Sequence, residues 1–205
     1  MRLPVFVFIL STMIPWTRAQ DVVVSSRNEL IKAASHSTPG STIRIAPGTY
    51  PGGIHVLNLR GTRAKPITIT ALKPDDWPLF EGGQSGLHFS KCEYVLLTRL
   101  KIRGASGNGI NIDDGGDIQS PAHHIILDQL EVLETGPKGN HDGIKLSGLD
   151  HFEVKNCRVV GWGGSAIDMV GCHEGNRWGT CHLCDQHGFG QRAEQAGKTW
   201  ERFIS

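Results

Sequence analysis

Two phrases of one shape carry opposite charges: Gly143-Ile144-Lys145-Leu146 and Ala166-Ile167-Asp168-Met169. Two earlier phrases of that shape, Gly86-Leu87-His88-Phe89 and Gly109-Ile110-Asn111-Ile112, put a histidine and an asparagine at the same place. The next outward place holds Ser90, Asp113, Ser147 and Val170, and Asn140-His141-Asp142 stands just before Gly143. These residue types can move a proton and hold a charge. Lys145 suits a base, provided burial or nearby cations lower its pKa, with His141 and Asp168 tuning it. Asn111, Asp113 and Asp142, with Asp114 beside them, carry the oxygens that a hard ion such as Ca²⁺ takes as ligands. His88, Asn111 and Asn140 are placed to hydrogen-bond a polar substrate.

Each residue also has a plainer reading. Lys145 and Asp168 on adjacent rungs make a surface ion pair worth less than about 1 kcal/mol. Asp113 and Asp114 precede Gly115-Gly116, where a turn role suffices, and His141-Asp142 also suit a turn. His88 can be an exposed rung with no role.

Chemistry of this kind needs its side chains held in one column. The four phrases begin 23, 34 and 23 residues apart. The first three are followed by a second apolar stretch (Tyr94–Leu97, His124–Leu127, Phe152–Lys155) and a third (Leu100–Ile102, Leu130–Val132, Cys157–Val159). Three short strands per unit, alternating apolar and polar, predict a solenoid of stacked coils. A single coil cannot bury its apolar side alone. Stacking places like strand on like strand about 4.8 Å apart. The apolar letters then fill a continuous interior, and Asn111, Lys145 and Asp168 share one outer column. Two insertions, Asp113–Ala122 and Glu134–Gly139, fall at the edges of the sheet that carries this column and suit groove walls.

Residues Ser41–Val56 and Lys65–Leu72 read as shorter, less regular strands, with turns at Pro47-Gly48 and Gly52-Gly53. Ser26, with Glu29 three residues on and then Leu30-Ile31 and Ala33-Ala34, predicts a capping box opening a short amphipathic helix. That helix can cover the open end of the solenoid.

The 205 residues suffice for one domain with a real core. Arg2, the apolar run Leu3–Pro15 and Thr17-Arg18-Ala19 have the form of a secretory signal peptide over residues 1–19, with a retained N-terminal anchor as the alternative. No second apolar run of membrane length exists, so a secreted or periplasmic mature protein is expected, with no membrane partner after cleavage. It would carry 19 Lys and Arg, two fewer than the whole chain, against 20 Asp and Glu. Such balance gives no electrostatic footprint for nucleic acid. Five cysteines, three of them crowded near the C-terminus, do not form a disulfide framework. Cys92 and Cys157 lie in apolar stretches and read as buried thiols. From Cys172 the coil pattern stops. Residues 172–205 are expected to be an irregular tail, in which Cys181-x-x-Cys184 and neighbouring histidines suggest a zinc cluster or a disulfide.

The phrase "TPGSTIRIAPGTYPGGI" followed by Gly-Ile-polar-apolar coils resembles the pectin-lyase-like right-handed parallel β-helix superfamily. The likeness is strongest to the alginate lyase and chondroitinase B type of polysaccharide lyases and covers residues 25–171. The resemblance implies an all-β, right-handed parallel β-helix over residues 41–171 with an N-terminal cap over 20–40. It also implies a lysine paired with an arginine and a carboxylate-bound Ca²⁺. The rung after Lys145 offers Asp168 and no arginine. Relatives of this kind continue for further coils, so a missing or altered C-terminal part is expected.

Fold alone does not fix activity. The preferred expectation is β-elimination on an extracellular acidic, uronic-acid-containing polysaccharide, with Lys145 as base and Ca²⁺ on Asn111, Asp113 and Asp142. A glycoside hydrolase using Asp113 and Asp168, about 10 Å apart at sheet spacing, is the second reading. A carbohydrate-binding or surface module without catalysis is the third.

Overall fold

A computed structural model describes residues 19–117 and 119–170, and the backbone of 179–182, 185–187 and 200–201. The fold is an all-β parallel β-helix with one short helix. Five strands, Ile54–Leu57, Leu87–Ser90, Ile110–Asp113, Ile144–Ser147 and Ile167–Val170, form one parallel sheet. The other twelve strands form a second hydrogen-bonded sheet that bends around the remaining sides. The expected register holds: Ile110, Ile144 and Ile167 are stacked partners, and so are Asn111, Lys145 and Asp168.

Alternation fixes which side faces in. Ile110, Ile112, Ile144 and Leu146 are fully buried, and the residues between them are half-exposed. The small residue that opens each phrase has a packing cause. A Cβ on Gly86, Gly109 or Gly143 would overlap a methyl of Ile102, Val132 or Val159, and would also crowd a backbone carbonyl of the next coil. Only at the last of these coils does alanine, Ala166, take the place.

Three expectations change in detail. The second and third strands of two coils are continuous, as Glu93–Arg103 and Ala122–Leu133, bent at Arg99 and Gln129 by left-handed backbone with φ of 57° and 54°. The partner of Tyr94 and His124 on the next coil is His151 rather than Phe152, because Val95, Ile125 and Phe152 stack inside. The tail expected to be irregular carries the strands Gly179–His182 and Asp185–His187, laid parallel on Leu149–Lys155 and Arg158–Val160. A backbone that meets an exposed parallel edge satisfies its hydrogen bonds there whatever its own apolar content.

The helix Arg27–Ser35 forms as expected, with Ser26 Oγ accepting from Glu29 N at 3.2 Å. Glu29 reaches back to Ser25, whose N–H and hydroxyl it accepts. Leu30, Ala33 and Ala34 are buried against the first coils, and Arg27 donates to the Gly53 carbonyl at 2.8 Å. A strand not foreseen, Asp21–Val24, precedes it and pairs with Thr42–Ile45. Cys92 and Cys157 are buried free thiols, and burial pushes the Cys92 thiol up to about 12. Residues 1–18 of the signal peptide expected over 1–19, and the side chains of Cys172, Cys181 and Cys184, lie outside the described residues.

Candidate functional site

The outer column of the five-stranded sheet has five rungs: His55, His88, Asn111, Lys145 and Asp168. Alternation alone turns them outward, since each sits between two interior residues. His55 was not foreseen. Its signal was present, because Gly53-Ile54-His55-Val56 has the same shape as the later phrases.

A hydrogen-bonded thread joins the rungs. His55 Nε2 meets Ser90 Oγ at 2.9 Å, and Ser90 Oγ lies 3.1 Å from His88 Nε2. His88 Nε2 meets Asp113 Oδ2 at 2.5 Å, and Asn111 Nδ2 donates to that same oxygen at 2.9 Å. Asn108 Nδ2 donates to Asn111 Oδ1 at 3.4 Å, and its own Oδ1 accepts from Asp142 N at 2.8 Å. The Asp142 carboxylate accepts from Ser165 N at 2.8 Å and Lys145 Nζ at 3.3 Å, and Lys145 Nζ donates to Asp168 Oδ2 at 2.7 Å. The rings of His55 and His88 are stacked nearly parallel, 4.0 Å apart.

The charges follow from these contacts. Burial pushes the Asp113 carboxyl up, but hydrogen bonds from His88, Ser90 and Gly115 N–H outweigh it and hold the group at about 2. Asp113 is thus an ionised acceptor behind His88. It favours a proton on His88 Nε2 and a lone pair on Nδ1, as a carboxylate does when it orients a catalytic histidine. Burial holds His55 below its ordinary value, with the neighbouring His88 adding to the effect.

Lys145 departs from the expected state. A base needs a lowered pKa, whereas the hydrogen bond to Asp168 raises it, helped by Asp142 against a smaller burial effect. Two carboxylates hold the ammonium charged, so in this arrangement Lys145 is a cation and not a base. Asp142 is 1 % exposed, a buried counter-ion rather than an open ligand. The carboxylates expected to share Ca²⁺ are committed separately, Asp113 to His88 and Asn111, Asp142 to Lys145 and Ser165. Among the described residues no three His, Cys, Asp or Glu gather as a metal group. The residues present therefore do not fit a Ca²⁺ site as they stand.

Asn140 and His141 lie in the loop before Ile144, and Asn140 is exposed. Gly164 packs against Asn140 and Asp142, while Gly136 packs against His141. The other insertion folds back on the opposite edge, with Gly115 against Lys91 and Asp114 against Gly148. The two loops thus flank the column.

An alginate lyase from Paenibacillus sp. strain FPU-7 is similar with a TM-score of 0.58 and 24% identity over 69% of this chain. The PL6-family alginate lyase AlyGC is similar with a TM-score of 0.59 and 20% identity over 72% of this chain. The chain has the β-helical fold of these polysaccharide lyases. It spans 45% of the first enzyme's length and 21% of the second's. No protein-family profile matches the sequence, and no curated protein matches it significantly.

Proposed function

We propose that the five-stranded face binds an extracellular uronic-acid-containing polysaccharide and cleaves it by β-elimination. One observation carries the reading. A histidine backed by an ionised aspartate shares an exposed column with a charged lysine two rungs away, on a fold shared with two alginate lyases.

Two rungs are about 10 Å at sheet spacing. A hydrogen bond at each end takes about 3 Å. The remaining ~4 Å matches a carboxyl group and the carbon beside it. The Lys145 ammonium would neutralise the uronate carboxylate, which makes the proton on the adjacent carbon more acidic. His88 Nδ1 would take that proton, Asp113 stabilising the imidazolium. The electron pair forms a carbon–carbon double bond as the glycosidic C–O bond breaks, and the departing oxygen takes a proton from water. Asn111, between the two, would hold the sugar. Asp168 is the group that the uronate displaces from Lys145, one carboxylate exchanged for another.

This assignment moves the base from Lys145 to His88 and keeps Lys145 essential. In the hydrolase alternative Asp113, held at about 2, would be the ionised base or nucleophile and not the general acid. We place the mature protein outside the cytoplasm, on the leader-like residues 1–19.

The test is incubation with alginate, pectate and chondroitin sulfate, with added Ca²⁺ and with chelator, followed by ultraviolet absorbance of unsaturated ends. Product is expected from at least one polymer. His88→Ala should lower kcat/KM by about 10²–10⁴, and Lys145→Met by a similar factor. Reducing ends without absorbance would select hydrolysis. Binding without any product would select a carbohydrate-binding module.

A further inference from the structure

A second column of aromatic character runs along a corner of the solenoid, away from the proposed catalytic face. Tyr94 and His124 stack at 4.2 Å with 19° between planes, and His124 and His151 at 4.7 Å with 30°. All three have left-handed backbone, with φ between 51° and 55°. Bends of the coil favour that conformation, and Arg99, Gln129 and Asn156 adopt it at the next one. Left-handed backbone ordinarily favours Gly, Asn, Asp or His, so it accounts for His124 and His151 but not for Tyr94. What the backbone does not require is the stacking of the three rings into one continuous wall.

The stack walls a groove of about 400 Å³. Leu96 and Ile126, outward partners on adjacent strands, form an apolar floor with Pro66 beside it, and exposed Arg63 stands at its edge. Glu153 closes one end, with its carboxylate 3.2 Å from Lys155 Nζ. The volume lies in the range of small-ligand sites. An apolar floor suits the C–H face of a sugar ring. Ring edges carry the positive side of the aromatic quadrupole, and Arg63 adds a fixed positive charge. Burial, then His151, His123 and Arg63, hold His124 below its ordinary value, as a locally positive field requires.

We propose that this groove is a second glycan-binding site, taking one acidic sugar unit on Leu96 and Ile126 with its carboxylate toward Arg63 and the histidine edges. The identity of the polymer rests on the function proposed above, whereas the groove's preference for an acidic sugar does not. A polymer held on both faces would wrap the solenoid corner and stay attached between cleavages.

The probe is a short alginate oligosaccharide, titrated calorimetrically into the full chain at neutral pH. Lys145→Met separates the two faces. In that background the oligosaccharide should still bind. Adding Arg63→Gln or His151→Ala should then weaken it about tenfold or more, as expected for losing a charge-assisted contact. Arg63 is exposed, so its variant should keep the parent's melting temperature. Ring resonances of His124 and His151 should shift on titration in the Lys145→Met chain. The proposal is overturned if Lys145→Met abolishes binding, if Arg63→Gln and His151→Ala bind as their background does, or if an uncharged glucan oligosaccharide binds equally well. Groove binding without unsaturated product would sink the lyase reading and leave this one standing.

Discussion

The two sides of one strand, Ile144–Ser147, obey different rules. Ile144 and Leu146 face inward onto the same kinds of residue on every neighbouring coil. Lys145 and Ser147 face outward, where no two rungs of the column beyond the paired histidines are alike. Inside, repetition is the stabilising device: apolar side chains pack on their neighbours, and each is held by the coils above and below. Outside, variety is what a site needs, and a hydrogen-bonded thread does the holding. Damage should therefore appear as lost stability inside and as lost function or shifted titration outside.

The largest effect on stability is expected inside. Ile112 is fully buried between Phe89 and Leu146. Ile112→Ala should cost about 2–5 kcal/mol, read as a lower midpoint in urea. A loss under about 1 kcal/mol would mean that the coils are not continuously packed.

Asp142→Asn comes next, and it tests the boundary between the two sides. Asp142 faces the site but is buried. The amide oxygen can keep the Ser165 N–H, but an NH₂ then points at the Lys145 ammonium. Leaving that contact unmade should cost about 1–3 kcal/mol. The same substitution also frees Lys145 from one carboxylate, so its titration should move down. Chemical-shift titration of the Lys145 side chain reads this directly, and an unmoved value would remove Asp142 as its counter-ion.

Sequence and structure agree where alternation and stacking decide the matter. The phrases at Gly86, Gly109, Gly143 and Ala166 fixed the register because a slip of one residue would turn every apolar side chain outward. Asn111, Lys145 and Asp168 could be placed in one column from that alone. The Lys145–Asp168 pair on adjacent rungs was legible too, and it is the larger cause of the raised Lys145 pKa; the part of Asp142 was not, because a turn before the strand folds it back beneath Lys145. Asn108 and Ser165 were equally silent, since they act through one side-chain oxygen and one backbone N–H. The one-residue offset at His151 came from reading apolar runs without the corner, where a left-handed residue is inserted.

Acid should loosen the outer column and the ring stack of Tyr94, His124 and His151 in two stages. His55 and His124 are held below their ordinary 6.5 in the fold, by burial first and then by neighbouring positive groups. The unfolded chain then binds their protons more readily, so stability is full above about 6.5 and falls as pH drops through the folded values. Asp113, ordinarily at 3.8 and held at about 2, adds a second loss between those values. Lys145, raised by Asp168 and Asp142, has the opposite sense, and its contribution fades only at strongly alkaline pH. Melting temperature against pH should show the histidine step in the parent. His55→Gln should shrink that step, and Asp113→Asn should shrink the lower one, to which Glu29, lowered by its hydrogen bonds from Ser25, also contributes. A single step unaffected by either variant would detach the column from acid stability.

The smallest effect on stability is expected from Asp168→Asn, and it is the sharpest test of the comparison. Asp168 is paired with Lys145 at 2.7 Å, yet its side chain is 31 % exposed and it occupies the last described rung. As an ion pair open to water it should contribute less than about 1 kcal/mol, so the urea midpoint should hardly move. If Asp168 were only a surface partner, nothing else would change. If the uronate takes its place on Lys145, removing the competing carboxylate should strengthen binding of an acidic oligosaccharide and lower KM. Lys145→Met should do the reverse, at a larger cost to the fold, because it leaves the buried Asp142 carboxylate without its counter-ion. Opposite shifts in affinity from the two partners of one ion pair are what a displaced counter-ion predicts. Equal losses from both would instead mean that the pair serves the solenoid and the ligand sits elsewhere.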